Sequence, residues 1–384
     1  MAEDKITIRL TKDSKGFLSC DVPITKGQWS EILRNKTVTT PTLMRVLLSF
    51  YFMPEHKASC TQCEKEYGLS YATYNIGVSH FAQAVGNLFD FQIIDESTEK
   101  PRYWPIPMGK GKEIKIDGKT QFEWQLRKEL VEALEEIIIE KAIESYISEF
   151  DLYFYVERDG IRYNEKYKWE AIQWFQNNWD INNADFPAML DNALSKTENL
   201  LASQNSFARG MIVAMAKADT NAVRQMFIDL YDETAPLEKR IRDFLRKSEE
   251  LREKYNQGDW NMHYQSTNTV SIYLWLKYPD KYFIYKYSVY KDVDEAFGLG
   301  YKIKRNGKPE EMVKGYEMYK KIHQYLINNN AVKELIDSHI SDDSRLYPDP
   351  KLITATGDFG YYISRKHNSL NPTLTKSFHE VAVL

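Results

Sequence analysis

The chain has 384 residues, of which 43% are hydrophobic and 28% charged, a composition typical of a globular protein with room for two or three domains. The net charge of −4 excludes a polycation, so any nucleic-acid site has to be a local basic patch. The N-terminus "MAEDKITIRL" has no apolar leader and no run of 18 apolar residues occurs, so we expect a cytoplasmic protein without a membrane partner.

The first predicted elements are a hairpin and two helices. Apolar and polar residues alternate on both sides of the turn "TKDSKG", and a short helix follows at "KGQWSEIL". Pro41 then opens the apolar helix "TLMRVLLSFYFM". Pro54 ends it, because proline cannot continue a helix interior.

Residues 59–88 have the pattern of two helices joined by a tight turn. Ser59 and Gln62 form a capping box, Gly68 ends the first helix, and Ser70 can cap the second. The second helix has one continuous apolar face, made by Tyr74, Val78, Phe81, Val85 and Leu88. This arrangement is typical of a helix-turn-helix, whose last helix enters the major groove of DNA.

The opposite face of that second helix is the predicted DNA-reading surface. Its side chains are small or form hydrogen bonds, and the predicted contacts are Ala72, Thr73, Ile76, Ser79, His80 and Gln83. The alternative is a small helical core, because short helical pairs with glycine turns also occur in proteins that never contact DNA.

The segment "GKGKEIKIDGKT", residues 109–120, resembles a phosphate-binding loop. That motif needs a glycine at position 113, which is Glu113, and residues 112–116 alternate as in a strand. Asp117-Gly118 therefore predicts the turn of a β-hairpin, placed where a wing would follow the helix pair.

This hairpin is the predicted phosphate-contacting wing. Seven basic residues against three acidic ones between residues 102 and 128 leave a local charge of +4, enough to neutralise a few phosphates. The lysines expected to contact DNA are Lys110, Lys112, Lys115 and Lys119. The alternative is a hairpin that only water solvates.

The remaining sequence predicts mainly helices. The long helix "LRKELVEALEEIIIEKAIESYISEF" closes an N-terminal domain at 1–150, and residues 151–384 form a mainly helical domain with a small strand element near 281–287. The predicted fold class is α+β and mostly helical, with a winged-helix-like domain followed by a larger helical domain.

The aromatic strand "KYFIYKY" suggests a pocket for a base or another planar ligand. Its candidate residues are Trp260, His263, Tyr285 and Tyr287. The alternative is that these rings fill the core of the second domain. A second basic patch follows at Lys302, Lys304, Arg305 and Lys308.

Catalytic and metal-binding motifs are missing from the sequence. Between Lys281 and Lys321 no (Asp/Glu)-x-Lys element follows Asp280, and no H-E-x-x-H or G-x-S-x-G occurs. Cys60-x-x-Cys63 is a single pair without the two further ligands of a zinc site. We therefore expect no enzyme activity, no cofactor and no metal.

Four stretches carry a family resemblance. They are "MPEHKASCTQCEKEYGLSYATYN", "YWPIPMGKGKEI" with "FEWQLRKELVEALEE", "RGMIVAMAKAD" with "VRQMFIDLYDE", and "HYQSTNTVSIYLWLKYPDKYFIYKY". Together, from Pro41 to Arg365, they resemble the N-terminal portion of McrB-like proteins, the GTP-binding subunits of restriction systems that target DNA containing modified cytosine. The resemblance implies DNA recognition in antiviral defence and a separate motor or nuclease partner. No phosphate loop occurs in the 384 residues, so GTP hydrolysis is not implied.

Two functional hypotheses result. The first is a non-catalytic DNA-binding component of such a system, with duplex DNA, unmodified or carrying modified cytosine, as its partner. The second is a helical scaffold or partner-docking protein without direct DNA contact. Salt-dependent binding to duplex DNA distinguishes them, because phosphate contacts release counterions.

Overall fold

The computed structural model describes residues 5–158, 161–202 and 207–369. The fold is α+β and mostly helical, as the sequence predicts. The chain forms two compact units. Unit 1 contains residues 5–141 and Glu295–Gly300, and unit 2 contains Ala142–Asp294 and Tyr301–Ser369.

Unit 1 combines a sheet with helices. Its strands are β1 (Ile6–Lys12), β2 (Leu18–Ser19), β3 (Lys57–Ser59), β4 (Phe91–Asp95), β5 (Lys100–Pro101), β6 (Met108–Ile116) and β7 (Lys119–Leu126). Its helices are α1 (Lys26–Arg34), α2 (Pro41–Phe52), α3 (Cys60–Tyr67), α4 (Tyr71–Leu88) and the first part of α5 (Lys128–Phe154). The predicted N-terminal hairpin and the two helices after it are confirmed.

The sheet has the strand order β3-β7-β6-β2-β1-β4-β5. Neighbouring strands are antiparallel except β1 and β4, which are parallel, with Ile8 opposite Ile93. The sequence did not predict β4 and β5. Because β4 has only five residues and its partner lies about 85 positions earlier, no local pattern marks it.

Helix α2 lies at the centre of the unit 1 core. Phe50 is fully buried and packs edge-on against Tyr74 of α4, with the ring centroids 6.0 Å apart. The Ser49 hydroxyl lies 3.1 Å from the Tyr74 hydroxyl, so a buried hydrogen bond also joins the two helices. An aromatic pair of this kind stabilises the folded state because it removes apolar surface from water. The edge-on geometry of the rings contributes about 0.5–1.5 kcal/mol more. Helix α4 is thereby held in a fixed position.

In its described residues, unit 2 consists of helices and one β-hairpin. The hairpin is β8 (Tyr155–Arg158) with β9 (Ile161–Asn164), and Tyr155 lies opposite Asn164. The helices after α5 are α6 (Tyr167–Asn178), α7 (Phe186–Ala193), α8 (Ala208–Ala218), α9 (Thr220–Tyr231), α10 (Leu237–Tyr255), α11 (Thr267–Lys277), α12 (Tyr287–Phe297), α13 (Pro309–Ile327), α14 (Asn330–Ile340) and α15 (Ile353–Ser369).

The strand predicted near 281–287 is wrong. Residues 282–286 belong to no strand or helix, and α12 begins at Tyr287. The backbone of this segment forms hydrogen bonds with side chains instead. The Tyr285 N–H donates to Ser271 Oγ (2.9 Å), and the Tyr316 hydroxyl donates to the Phe283 carbonyl (2.6 Å). These bonds satisfy buried backbone groups that a strand would pair in a ladder.

No helix in the described part of the chain is long and apolar enough to cross a membrane.

Candidate nucleic-acid interface

The α3–turn–α4 segment has the local geometry that the sequence predicts. Ser59 and Gln62 make the capping box of α3, and Gly68 ends that helix in the left-handed region at φ 81°. Ser70 caps α4 by accepting a hydrogen bond from the Thr73 N–H. The Tyr71 N–H also donates to Glu64 Oε1 (3.1 Å), which fixes the start of α4 against α3.

The inner face of α4 is packed against its own unit. Tyr74, Val78 and Val85 are fully buried. Gly77 faces α2, because a Cβ at this position would lie 3.4 Å from both Leu43 and Val46, an ordinary contact distance. The predicted apolar face is confirmed except at Leu88, which is 54% exposed because the helix ends there.

The predicted DNA-reading residues lie on the outer face of α4. Ala72, Ile76, His80 and Gln83 are exposed, while Thr73 and Ser79 are half-buried. Thr73 is part of the helix cap and Ser79 donates its hydroxyl to the Asn75 carbonyl, so both have local partners.

Sequence reasoning missed two exposed residues of this face. Tyr71 is 51% exposed and Asn75 is also exposed. The helical period was the available signal, since Asn75 lies one turn before the predicted contact Ser79 and Tyr71 lies one turn before Asn75. No Asp, Glu, Lys or Arg occurs anywhere in the 18 residues of α4. Its outer face can therefore donate and accept hydrogen bonds without carrying a carboxylate that would repel DNA.

Strands β6 and β7 form the predicted hairpin. Asp117 and Gly118 have φ angles of 50° and 75°, which is the positive pair that a type I′ turn requires. The eight residues of β7 pair along β6 from Leu126 opposite Met108 to Lys119 opposite Ile116. The segment is therefore a hairpin and not a phosphate-binding loop.

The four hairpin lysines divide between the two faces of the sheet. Lys110, Lys112 and Lys119 lie on the face of Glu123, and Lys115 lies on the face of Trp124 and its neighbours. The odd spacing between Lys112 and Lys115 already carries this signal, because side chains alternate along a strand. The basic surface that a flat polyanion meets is therefore smaller than four lysines.

The charge of the hairpin lysines is not neutralised internally. Lys110, Lys115 and Lys119 are exposed and Lys112 is half-buried, with its Nζ 4.2 Å from the centre of the Phe17 ring. None of the four forms an ion pair with any side chain in the described ranges. Their charges are therefore available to an external anion.

Two further lysines extend the basic surface and were missed. Strand β2 pairs with β6 through Ser19 opposite Lys110, so the β1–β2 turn lies beside the hairpin. Lys12, the last residue of β1, and Lys15, in the turn itself, are both exposed. The sequence signal was the basic turn "TKDSKG", although its position beside β6 depends on the sheet order.

The second basic patch belongs to unit 2. Lys302, Lys304, Arg305 and Lys308 are all exposed in the loop between α12 and α13. Asp294 holds the start of this loop by accepting hydrogen bonds from the Tyr301 and Lys302 N–H groups. The loop is therefore anchored and presents four cations to solvent.

The four proposed pocket residues are not joined by contacts in the part of the chain that is described. Tyr285 is 4% exposed and its ring packs against Tyr290 at 4.8 Å. Burial raises the pKa of Tyr285 to about 12. Trp260 and His263 are instead tied to the end of α10, since Arg252 donates to the Trp260 carbonyl and His263 Nε2 lies 3.9 Å from Glu249.

Tyr287 completes this set and lies at the first position of α12, half-buried. A base could stack on Tyr285 only if the core of unit 2 opened, because that side chain is buried, with 4% of its surface exposed. The core interpretation therefore fits Tyr285 better than the pocket interpretation.

Unit 2 also contains a buried charged cluster around Lys168, which sequence reasoning missed. Lys168 is 3% exposed, pairs with Asp358, and lies 2.8 Å from Glu165. Tyr146 donates its hydroxyl to Asp358 Oδ2 at 3.0 Å. Burial opposes the Lys168 charge, but Asp358 and Glu165 more than offset it and raise the pKa of Lys168 above its ordinary value.

A narrow cleft adjoins this cluster. Lys168 and Asp358 line it together with the rings of Trp275, Tyr319 and Tyr361. It has room for about one water molecule, so neither a base nor a nucleotide fits.

The two cysteines of the C-x-x-C motif are buried in α3. Cys60 is 4% exposed and Cys63 is fully buried. Burial raises the pKa of the Cys60 thiol to about 12 and also raises the pKa of Cys63, so neither is a thiolate at neutral pH. Their geometry fits two core positions of a helix.

No family model, no curated protein and no solved structure matches the chain. The resemblance of the four sequence stretches to McrB-like proteins stays a prediction.

Proposed function

We propose that unit 1 binds duplex DNA, with the outer face of α4 in the major groove and the β6–β7 hairpin against the phosphate backbone. The observation that carries this proposal is the combination, within one compact unit, of an exposed helix face without charge and a hairpin whose lysines have no ion-pair partner in the described ranges.

The order of elements supports a winged-helix interpretation. The elements occur in the chain order α2, β3, α3, α4, β6, β7. Strands β4 and β5 are inserted between α4 and β6. Strand β3 pairs antiparallel with β7, from Lys57 opposite Gln125 to Ser59 opposite Glu123. In a winged helix, a short strand before the helix pair closes the sheet in this way, and the last helix reads the groove.

The chemistry of the two surfaces fits different parts of a duplex. Lysines supply affinity through phosphates but carry no sequence information. Asn75, His80 and Gln83 can donate to and accept from base edges, and Gln or Asn reads adenine through two hydrogen bonds. Helix α4 would thus contact the base edges, and the hairpin lysines would hold the protein in position on the phosphate backbone.

We assign this DNA binding to a non-catalytic component of a McrB-like restriction or anti-phage defence system. This step rests on the sequence resemblance and on no structural observation. In that setting a separate motor or nuclease subunit acts on the DNA that unit 1 holds.

Binding of the purified chain to a duplex at two salt concentrations tests the proposal. Matched duplexes with cytosine and with 5-methylcytosine separate general binding from modification-dependent binding. We expect affinity to fall steeply with salt, because each neutralised phosphate contributes a slope of about 0.9. Affinity that does not change with salt would contradict phosphate contact.

A matched pair of substitutions locates the contact. Ala72 and Ala331 are both exposed and both occupy the second position of a helix, in α4 and in α14. A carboxylate at Ala72→Glu should repel the phosphates and weaken binding at least tenfold. The control Ala331→Glu adds the same charge to unit 2 and should leave affinity unchanged. Equal losses in both variants would rule out α4 as the contacting helix.

The second candidate is a partner-docking scaffold without DNA contact. It is supported by two exposed apolar side chains in unit 2, Phe207 at 60% and Met262 at 59%. The Gln265 side chain donates to the Ala208 carbonyl, so the segments that carry them are adjacent. Absence of any duplex affinity in the salt experiment would favour this candidate.

A further inference from the structure

Helix α4 exposes one large aliphatic side chain in the middle of its outer face. Ile76 is 52% exposed, with Ala72 one turn before it and His80 one turn after it. Asn75 is exposed beside it. The result is a small apolar spot bordered by hydrogen-bonding groups on a helix without formal charge.

A single exposed isoleucine has no meaning by itself, since folded proteins expose much apolar surface. The residues around Ile76 indicate which kind of molecule would cover it. No carboxylate on α4 repels phosphate, and the hairpin lysines Lys110, Lys115 and Lys119 are exposed and form no ion pair with any described side chain. A polyanion therefore fits this unit better than an apolar protein surface does.

The major groove of DNA offers one apolar group on its base pairs, the C5-methyl group of thymine. Ile76 is the sixth residue of α4, within the N-terminal half of the helix that contacts base edges in helix-turn-helix proteins. The geometry points to Ile76 as the side chain that contacts a thymine methyl group and so makes binding depend on thymine. This inference rests on the proposed duplex binding by α4.

Replacing thymine by uracil tests the contact. Two duplexes of the same mixed sequence are compared, one with thymine and one with uracil at every thymine position. Uracil lacks the methyl group but keeps every hydrogen-bonding group of the base pair. We expect the wild-type chain to bind the uracil duplex about fourfold more weakly, the factor that corresponds to burial of one methyl group.

Two substitutions identify the residue. Ile76→Ser should bind both duplexes equally. The control is Leu88→Ser, because Leu88 is 54% exposed on the same helix but lies 12 residues further on, about 18 Å along the axis. The control should keep the fourfold preference. Both side chains are exposed, so neither change removes core packing.

The outcomes distinguish failure of the thymine contact from failure of the proposed DNA binding. Equal affinity of the wild-type chain for the two duplexes would overturn the methyl contact and leave DNA binding intact. A preference that survives in Ile76→Ser would place the methyl contact on another residue. A preference for 5-methylcytosine over cytosine without any effect of uracil would assign the methyl reading to cytosine and overturn the thymine contact. Failure to bind either duplex would overturn both proposals.

Discussion

The hairpin lysines of unit 1 and Lys168 of unit 2 are the same residue type in opposite environments. Lys115 and Lys119 are exposed and have no ion-pair partner in the described ranges. Lys168 is 3% exposed and lies between Asp358 and Glu165. A surface charge keeps its hydration and stays available to a phosphate, whereas a buried charge depends on its protein partners. The comparison predicts a binding role for the hairpin lysines and a stabilising role for Lys168.

The largest expected effect is on stability, at Lys168. The change Lys168→Met removes the positive charge 2.5 Å from the buried Asp358 carboxylate, which should lower the free energy of unfolding by about 3–5 kcal/mol. Urea unfolding measures it. The control is Lys320→Met, since Lys320 pairs with Glu317 while 61% exposed, and such pairs contribute about 0.5 kcal/mol or less. Small and equal effects would mean that the Lys168 cluster is solvated.

The next effect is on DNA affinity, at the hairpin. Charge reversal of Lys112, Lys115 and Lys119 to Glu should weaken duplex binding across all sequences. It should also flatten the salt slope by about 0.9 for each lost phosphate contact. Salt-dependent binding measurements check this, with retained thermal stability as evidence of folding. Unchanged affinity in a folded triple variant would remove the hairpin from the interface.

A matched charge reversal in unit 2 tests whether the loss of DNA affinity is specific to the hairpin lysines. Lys302, Lys304 and Lys308 are also exposed, and their reversal to Glu changes the net charge by the same amount. We expect a smaller loss of affinity than from the hairpin triple. A larger loss would move the main phosphate contact to the second basic patch.

A third effect is a pH dependence of stability at Asp349. This carboxyl is 1% exposed, and burial raises its pKa to about 7 although the Thr354 and Ala355 N–H groups donate to it. The folded state therefore holds a proton more tightly than the unfolded state. Between about pH 4 and pH 7 this group lowers stability as pH rises, by up to about 1.4 kcal/mol per pH unit.

The variant Asp349→Asn should remove this dependence, so its stability relative to wild type should improve between pH 5 and pH 8. The control is Asp343→Asn. Arg345 lowers the pKa of Asp343 to about 2, so that carboxyl is ionised in both states over the same range. Urea unfolding at the two pH values measures both variants. A wild-type difference that Asp349→Asn leaves unchanged would assign the pH dependence to other groups.

The smallest expected effect is none, on nucleotide binding. Lys119 belongs to a strand next to a type I′ turn, so the converging N–H groups of a phosphate loop are missing there. Titration calorimetry with GTP and ATP should detect no binding in wild type or in Lys119→Ala. Saturable micromolar binding that Lys119→Ala abolishes would contradict the hairpin interpretation.

Much of the candidate interface could be predicted because its signals are local. The Ser59 capping box, the Gly68 helix end and the Asp117-Gly118 turn each depend on residues at most four positions apart. The exposed face of α4 followed from the helical period alone. The winged-helix interpretation and DNA contact by this face remain predictions.

Other features of the interface required the tertiary structure. The sequence contains Lys12 and Lys15, but only the pairing of β2 with β6 brings their turn beside the hairpin. The exposure of Leu88 depends on where α4 ends and on what covers its last turn. Such facts arise from partners that are distant in sequence.

By itself the sequence determined most of the helices, the turns and the mostly helical α+β class, because backbone preferences and apolar periods act over a few residues. Only the tertiary structure decided that "KYFIYKY" does not form a strand. Its alternation suits a strand, but Ser271 and Tyr316 bind its backbone, and no neighbouring strand is present in the described chain. It also decided that Lys168 is buried, since a lysine leaves water only where folding brings carboxylates such as Asp358, 190 positions away, into contact with it.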